Sequence, residues 1–128
     1  MAGYAKKNLR EVEDAAVKHG FSETQVARFA GGDLGCERIG LALEGVKPGR
    51  RQAFGHRHEQ DEEVYVIIEG GGRMRLGEEV VEVGPLDAIR VAPGVMRAFE
   101  AGPDGLELLA FGTHHEGDGE IDPGFWDD

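Results

Sequence analysis

Glycine and proline residues divide most of this sequence into segments that are too short for ordinary helices. After residue 20, breaks that contain Gly or Pro lie at 31–32, 48–49, 70–72, 77, 84–85, 93–94 and 102–103. The apolar runs between them predict strands near 25–30, 37–46, 51–58, 63–69, 72–76, 79–83, 87–91, 96–100 and 106–112. Many short strands with regular turn signals are typical of an antiparallel sandwich or barrel. The predicted fold class is therefore all-β.

The first twenty residues have a different pattern of apolar and charged residues, which predicts one short helix over residues 9–19. Leu9, Val12 and Ala16 recur near helical spacing. Acidic residues come early in the segment and basic residues come late, and Gly20 follows as a stop. We therefore expect a short N-terminal helix ahead of the strands.

The final segment, residues 113–128, is acidic, contains several glycines and is poor in strand formers, which is typical of a solvated tail. Ile121, Phe125 and Trp126 favour a different interpretation, because a disordered tail has little reason to carry three large apolar residues. Both interpretations are open at this point. We find no repeat, linker or second domain, so the sequence predicts a single domain over residues 1–128.

The charge balance restricts the kinds of partner. The formal net charge is −11 and the sequence pI is about 4.8, which disfavours nucleic acid because that binding relies on Lys and Arg. No apolar run reaches the length of a membrane span, so no membrane association is expected, and the start of the chain does not resemble a signal peptide. The single cysteine, Cys36, cannot form an internal disulfide, which fits a reducing, cytoplasmic location.

Two histidines lie two residues apart on a predicted strand, so their side chains point to the same face. They are His56 and His58, and a turn after them brings the next strand, which begins at Glu63, opposite the imidazoles. Two His and one carboxylate are a sufficient ligand set for iron(II), manganese, zinc or nickel, with open positions for water or substrate. The spacing alone is also compatible with His56 and His58 being two surface histidines that bind no metal.

The same segment resembles the first motif of the cupin superfamily. That motif has two His separated by one residue, then four residues, Glu, six residues and Gly, and His56, His58, Glu63 and Gly70 fit this spacing. Its leading Gly corresponds to Gly49, with one extra residue before the first His. The resemblance implies a small single-domain cupin of the conserved-barrel type, folded as a double-stranded β-helix, or jelly roll. It also implies a divalent metal ion on the two His and the Glu.

The second cupin motif is incomplete. Asp87 and the 93–94 Pro-Gly pair are in place, but Arg97 stands where the family has its fourth ligand, a His, and Ala101 stands where it has Asn. The resemblance covers most of the chain from about 36 to 112, which is the expected barrel core.

Three interpretations of Arg97 are open. In the first, a metal ion sits on the three motif-one residues, and Arg97 faces it and clamps an anionic substrate. In the second there is no metal, and Arg97 pairs with Glu63 in a binding or acid–base site. In the third, a register shift turns Arg97 outward and Met96 inward.

Strand parity predicts the rest of the pocket. The strand faces that carry the candidate metal ligands and Arg97 are expected to form the pocket. The side chains on these faces are those of Gln52, Phe54, Tyr65, Arg97 and Phe99. Arg97 and Tyr65 are candidate catalytic residues, although a tyrosine at position 65 is also common in cupins as packing. His114 and His115 follow the last predicted strand, either as a solvated strand end or as a replacement ligand.

The leading functional hypothesis is therefore a divalent-metal cupin (Mn, Fe, Ni or Zn) that acts on a small anionic organic molecule by oxygenation, isomerisation or lyase chemistry. The alternative is a metal-free binding or sensory module without turnover. The resemblance also implies a homodimer. The segment 106–111 supports this expectation. It is apolar at both odd and even positions, so both faces of the predicted strand can be covered, one of them by a second subunit.

Overall fold

A computed structural model describes residues 3–127 of the chain. Within this range, two short α-helices and a 3-10 helix accompany eight strands. The helical segments are a 3-10 helix (Leu9–Glu11), α1 (Ala15–Lys18) and α2 (Gly31–Leu34). The strands are β1 (Gln25–Phe29), β2 (Ile39–Val46), β3 (Gly55–His58), β4 (Glu63–Leu76), β5 (Glu79–Val83), β6 (Ala88–Val91), β7 (Arg97–Thr113) and β8 (Gly119–Asp122).

The eight strands form one antiparallel sheet that curls around a core. One path runs β1-β2-β7-β3-β8, and β4 joins it through β7 while also pairing with β5 and β6. The long strands β4 and β7 pair over most of their length, so they link both halves of the sheet. Alternate residues of these strands point inward. The buried cluster between the two halves includes Tyr65, Ile67, Met74, Phe99 and Leu108.

The long strands correct two predicted breaks. The segments predicted as 63–69 and 72–76 form the single strand β4, and those predicted as 96–100 and 106–112 form β7. The two strands continue through these glycines because their pairing is irregular there. Four residues of β7, 102–105, lie opposite the single residue Gly71 of β4. Gly and Pro therefore mark bulges at these places rather than strand ends.

The predicted helix over residues 9–19 is wrong in extent, since only a 3-10 turn and a single α-helical turn form there. Asp14 interrupts the segment, because its Oδ1 accepts hydrogen bonds from the backbone N–H groups of Ala16 and Ala27 at 2.9 and 3.0 Å. A carboxylate used in this way begins a new helix and cannot lie inside one. The same contacts attach the N-terminal segment to β1.

The C-terminal segment packs against the barrel, which corrects the solvated-tail interpretation. It forms β8, which pairs with β3 along residues 55–58. Phe125 is buried against Gly55, where an added Cβ would lie 2.6 Å from the ring. The indole N–H of Trp126 donates to the carbonyl of Gln52 at 3.0 Å. Ile121 remains exposed. The segment thus supports the strand that carries both histidines.

Among residues 3–127, no helical segment has the length and hydropathy that a membrane-spanning helix requires.

Candidate functional site

A cavity of about 700 Å³ opens between the N-terminal segment and the inner face of the sheet. Its volume lies in the range of about 300–1,000 Å³ that is usual for small-molecule sites. Six of the candidate site residues singled out from the sequence line it: Gln52, Phe54, His56, His58, Glu63 and His114. Tyr65, Arg97 and Phe99 do not line it and are completely or almost completely buried in the core.

The two histidines and the glutamate converge at this cavity. Parity on β3 points His56 and His58 inward, and Glu63 opens β4 beside them. Oε1 of Glu63 lies 3.7 Å from Nε2 of His56 and 3.9 Å from Nε2 of His58. One donor atom from each residue lies within 4.8 Å of the other two. These separations suit an ion bound at about 2.0–2.2 Å from each donor, so the three residues could hold a metal ion.

Arg97 lies behind Glu63 and is 0% exposed. Its Nη2 donates to Oε1 of Glu63 at 2.7 Å, and its Nε donates to the hydroxyl of Tyr65 at 3.0 Å. Its Nη1 donates to the carbonyl of Val95 at 3.0 Å. The interpretation in which Arg97 points outward is therefore wrong. The register pairs His56 with Arg97, so no one-residue slip occurs at the 93–94 turn.

The substrate-clamp role predicted for Arg97 requires a guanidinium that faces the cavity. The observed side chain is enclosed, and its donors are used by Glu63, Tyr65 and Val95. Arg97 is therefore placed to act through Glu63 as a positioning residue. The hydroxyl of Tyr65 also donates to Oε1 of Glu63, so the carboxylate is held by two donors.

Local interactions set the protonation states of the donors. Burial opposes the ionisation of Glu63, but interactions with His56, Tyr65 and Arg97 outweigh it and lower the pKa of Glu63 to about 2. Burial lowers the pKa of His58, which favours the neutral imidazole. Burial also raises the pKa of Tyr65 well above its ordinary value, so its hydroxyl keeps its proton. An anionic carboxylate and a neutral imidazole are the forms that bind metal.

Two carboxylates lie behind His58. Its Nδ1 is buried without a hydrogen-bond partner in the part of the chain described, and lies 3.6 Å from Oδ2 of Asp118 and 3.7 Å from Oδ2 of Asp61. Asp118 also receives backbone N–H groups from the turn at residues 59–61, which holds it in place. Acceptors near Nδ1 favour a proton on that atom. The lone pair of Nε2, which faces the cavity, is then available to bind a metal ion.

These observations fit a divalent ion. The site supplies two imidazoles, of which His58 is favoured in its neutral form, and one anionic carboxylate, and His58 and Glu63 both have support from behind. The proposed replacement ligands are not found, because neither His114 nor His115 belongs to a close group of donors among residues 3–127. His115 instead pairs its Nδ1 with Oδ1 of Asp61 at 2.5 Å. Arg97 opposes the ion with its charge, since it adds a cation near a cation.

Glu44 is a cavity residue that the sequence reasoning missed. It lies on β2 between two buried inward-facing residues, Ala42 and Val46, and lines the cavity. Burial raises the pKa of Glu44 to about 7, although the charges of His56 and Arg97 and a hydrogen bond from Gln52 lower it. Parity on β2 was the available signal, because it places a lone carboxylate in an otherwise apolar inward-facing row.

The raised pKa of Glu44 predicts a pH-dependent cost to stability. The folded-state value of about 7 lies above the ordinary value of 4.5, so the folded state binds more protons between these values. Below pH 4.5 the burial of Glu44 does not lower the free energy of unfolding. Above pH 7 it lowers the free energy of unfolding by its full amount, on the order of 3 kcal/mol. Urea unfolding should therefore show Glu44→Gln gaining stability over the wild type as pH rises from 4.5 to 7. A pH-independent difference would contradict this.

Comparisons with known proteins identify the class. Residues 42–111 match the family model described as the cupin domain. A cupin protein from Bacteroides fragilis is 21% identical, with a TM-score of 0.73 over 91% of this chain and 89% of that chain. The polyketide cyclase RemF from Streptomyces resistomycificus is 21% identical, with a TM-score of 0.72 over 92% and 83%. Streptomyces PAC13, in a structure with uridine, is 20% identical, with a TM-score of 0.70 over 91% and 88%.

The chain belongs to the cupin family, because the family model covers more than half of it. The structural similarities confirm the predicted all-β fold, a double-stranded β-helix. None of the curated proteins matches the chain in sequence.

Proposed function

We propose that this cupin binds one divalent metal ion through His56, His58 and Glu63 and acts on a small organic molecule held in the cavity. The observation that carries the proposal is the convergence of the three donors at the cavity, with Glu63 anionic and His58 neutral. Manganese, iron, nickel and zinc all suit such a set. The reaction class is oxygenation, isomerisation or lyase chemistry, because a bound ion supplies a Lewis acid or an oxygen activator.

The residues of the chain have separable roles in this proposal. Tyr65 and Arg97 fix the orientation of the Glu63 carboxylate and keep it ionised. Asp61 and Asp118 favour the His58 tautomer that leaves Nε2 available. Phe54 and its neighbours in the cavity wall exclude water from the ligand. Fold similarity does not choose a reaction, since one barrel serves many chemistries.

Metal content tests the proposal. Protein purified without an affinity tag is stripped with a chelator, dialysed and titrated with manganese, iron(II), nickel or zinc. We expect about one equivalent of at least one metal to bind. Sub-stoichiometric metal that none of the four ions restores would overturn the proposal.

A second candidate is a metal-free site that binds a small molecule or transfers a proton. The 2.7 Å ion pair between Arg97 and Glu63 favours it, because the guanidinium already neutralises the carboxylate. In this alternative, the two imidazoles and Glu44 are the groups that contact the ligand from the cavity wall. Ligand binding to chelator-treated protein, without metal uptake under any condition, would select this candidate.

Replacing Arg97 with histidine tests the metal proposal at the missing fourth ligand. Arg97→His removes a buried cation and introduces a neutral donor opposite His56. We expect the affinity for zinc or nickel to rise by about tenfold or more, measured by competition with a chromophoric chelator. Arg90→His, an exposed change on β6, is the matched control and should leave the affinity unchanged. Equal affinities in all three proteins would contradict a metal ion at this site.

The outward face of β2, β4 and β7 supports the expected homodimer. It carries half-buried or exposed apolar side chains, which are those of Leu41, Val64, Val66, Ile68, Leu109 and Phe111. Phe111 is 41% exposed. A patch of this kind is characteristic of an interface. We expect light scattering to give twice the chain mass at micromolar concentration, and Phe111→Glu to give the monomer mass. A monomeric wild type would contradict the dimer.

A further inference from the structure

The ionisable groups around the cavity are carboxylates and imidazoles in equal number. Among the described residues, its lining contains four carboxylates, from Glu44, Asp61, Glu63 and Glu120, and four imidazoles, but no lysine or arginine. The expectation of an anionic ligand depended on a guanidinium at the cavity, and Arg97 is enclosed behind Glu63. The charge of the lining therefore no longer supports an anion.

Three of the four carboxylates already have a partner that can carry positive charge. Glu63 pairs with Arg97, Glu120 pairs with Arg57, and Asp61 pairs with His115. Glu44 makes no ion pair with any described residue. Its one described hydrogen bond is a long one, from Nε2 of Gln52 at 3.4 Å.

Gln52 fixes the direction of this interaction. The backbone N–H of Phe99 donates to Oε1 of Gln52 at 2.9 Å, so the amide oxygen must face Phe99. The amide NH₂ then faces Glu44, and the buried Gln52 side chain holds the carboxylate at the cavity wall. Glu44 therefore has acceptor capacity that this single weak donor does not fill.

Part of the cavity wall beside Glu44 is apolar and leaves space. Ala27, Ala42 and Ala110 line the cavity from β1, β2 and β7, and Phe21 and Phe54 stack edge to face at 5.2 Å on another part of its wall. A ligand with an apolar body fits these walls. A carboxylate in such surroundings gains most from a donor that the ligand brings with it. The pKa of Glu44, raised by burial to about 7, agrees with an unmet need for a positive partner.

We infer that Glu44 selects the ligand of this cavity, which is a neutral or cationic molecule with an apolar body and a hydroxyl or ammonium donor directed at Glu44. The inference rests on the proposed function in one respect, since it assigns the ligand class for the cavity beside the metal site. It requires no metal for its own test. Glu44 acts as a specificity-determining residue that accepts a hydrogen bond from the ligand.

Three probes with one skeleton test the inference: benzylamine, benzyl alcohol and benzoate. Each is titrated into chelator-treated protein at pH 8, where Glu44 is mainly ionised, and binding is followed by NMR chemical-shift changes. We expect benzylamine to bind most tightly and benzoate least tightly. Glu44→Gln should weaken benzylamine by about tenfold, as expected for the loss of a charge-assisted hydrogen bond. Glu78→Gln, in the exposed β4–β5 turn, is the matched control and should change nothing.

Several results would overturn the inference. They are benzoate binding as tightly as benzylamine, undiminished benzylamine affinity in Glu44→Gln, equal losses in Glu44→Gln and Glu78→Gln, or no binding of benzylamine to the wild type. Glu44→Asp guards against a folding artefact, because it keeps the charge and should keep more affinity than Glu44→Gln. Failure of this inference is distinguishable from failure of the metal proposal, because benzylamine binding is measured on chelator-treated protein and metal uptake is measured in a separate titration.

Discussion

His58→Ala should abolish stoichiometric metal binding and lower the affinity for zinc by about a hundredfold or more, since one of three protein donors is lost. The remaining donors, His56 and Glu63, leave a two-ligand site whose carboxylate is already held by Arg97. Isothermal titration of the stripped variant against zinc measures the loss directly. The unfolding midpoint of the metal-free proteins should stay similar, because the side chain of His58 faces the cavity and is 21% exposed.

His114→Ala is the matched control for this prediction. His114 also lines the cavity, but among the described residues it belongs neither to the group of His56, His58 and Glu63 nor to the second close group of donors, which is His58, Asp61 and Asp118. Its replacement should leave the zinc affinity within about twofold of the wild type. If His114→Ala lost as much affinity as His58→Ala, the metal would be bound by a different set of residues.

Gly70→Ala should destabilise the fold by on the order of 5 kcal/mol, which is enough to unfold a domain of ordinary stability. Gly70 ends the first cupin motif and has a φ of +75°, in the left-handed region. An added Cβ would lie 2.1 Å from the carbonyl oxygen of Gly105 and 2.9 Å from its carbon. Neither backbone can move freely, because β4 and β7 pair on both sides of this point.

Gly77→Ala separates the steric effect from backbone strain. Gly77 also has a positive φ, +60°, but a Cβ there would meet nothing within 4 Å. Only the cost of a left-handed conformation applies, which is about 1 kcal/mol. Urea unfolding of both variants should therefore give a large difference between them. Similar losses would show that conformation, and not the close approach of β4 and β7, explains the glycine at position 70.

The sequence was most informative where local pattern determines structure. Alternation on β3 and β4 is a local property, so the spacing of His56, His58 and Glu63 sufficed to predict that their side chains converge. Gly70 carries the same kind of information, because its place in the motif marks a point where only glycine fits between two strands. The all-β class followed from the turn residues for similar reasons.

The features that the sequence left open or did not reveal depend on pairing between distant segments. The bond from Arg97 to Glu63 joins residues 34 positions apart, and its direction follows from the register of β3 with β7. Residues 119–122 form a strand only because β3 offers an edge for pairing. Glu44 becomes a cavity residue because the N-terminal segment closes over β2 while small alanines leave space beside it. Parity on β2 places Glu44 on the inward face, but no local pattern shows the space beside it, the free edge of β3 or the direction of Arg97.

The central claim is that His56, His58 and Glu63 hold a divalent ion. Crystals of the protein loaded with zinc, with diffraction data collected above and below the zinc absorption edge, test it most directly. We expect one anomalous peak within about 2.0–2.2 Å of Nε2 of His56, Nε2 of His58 and a carboxylate oxygen of Glu63, with Arg97 still bonded to Glu63. If there is no anomalous peak at this position and Glu63 is bonded only to protein groups such as Arg97, the claim is contradicted and the metal-free candidate is favoured.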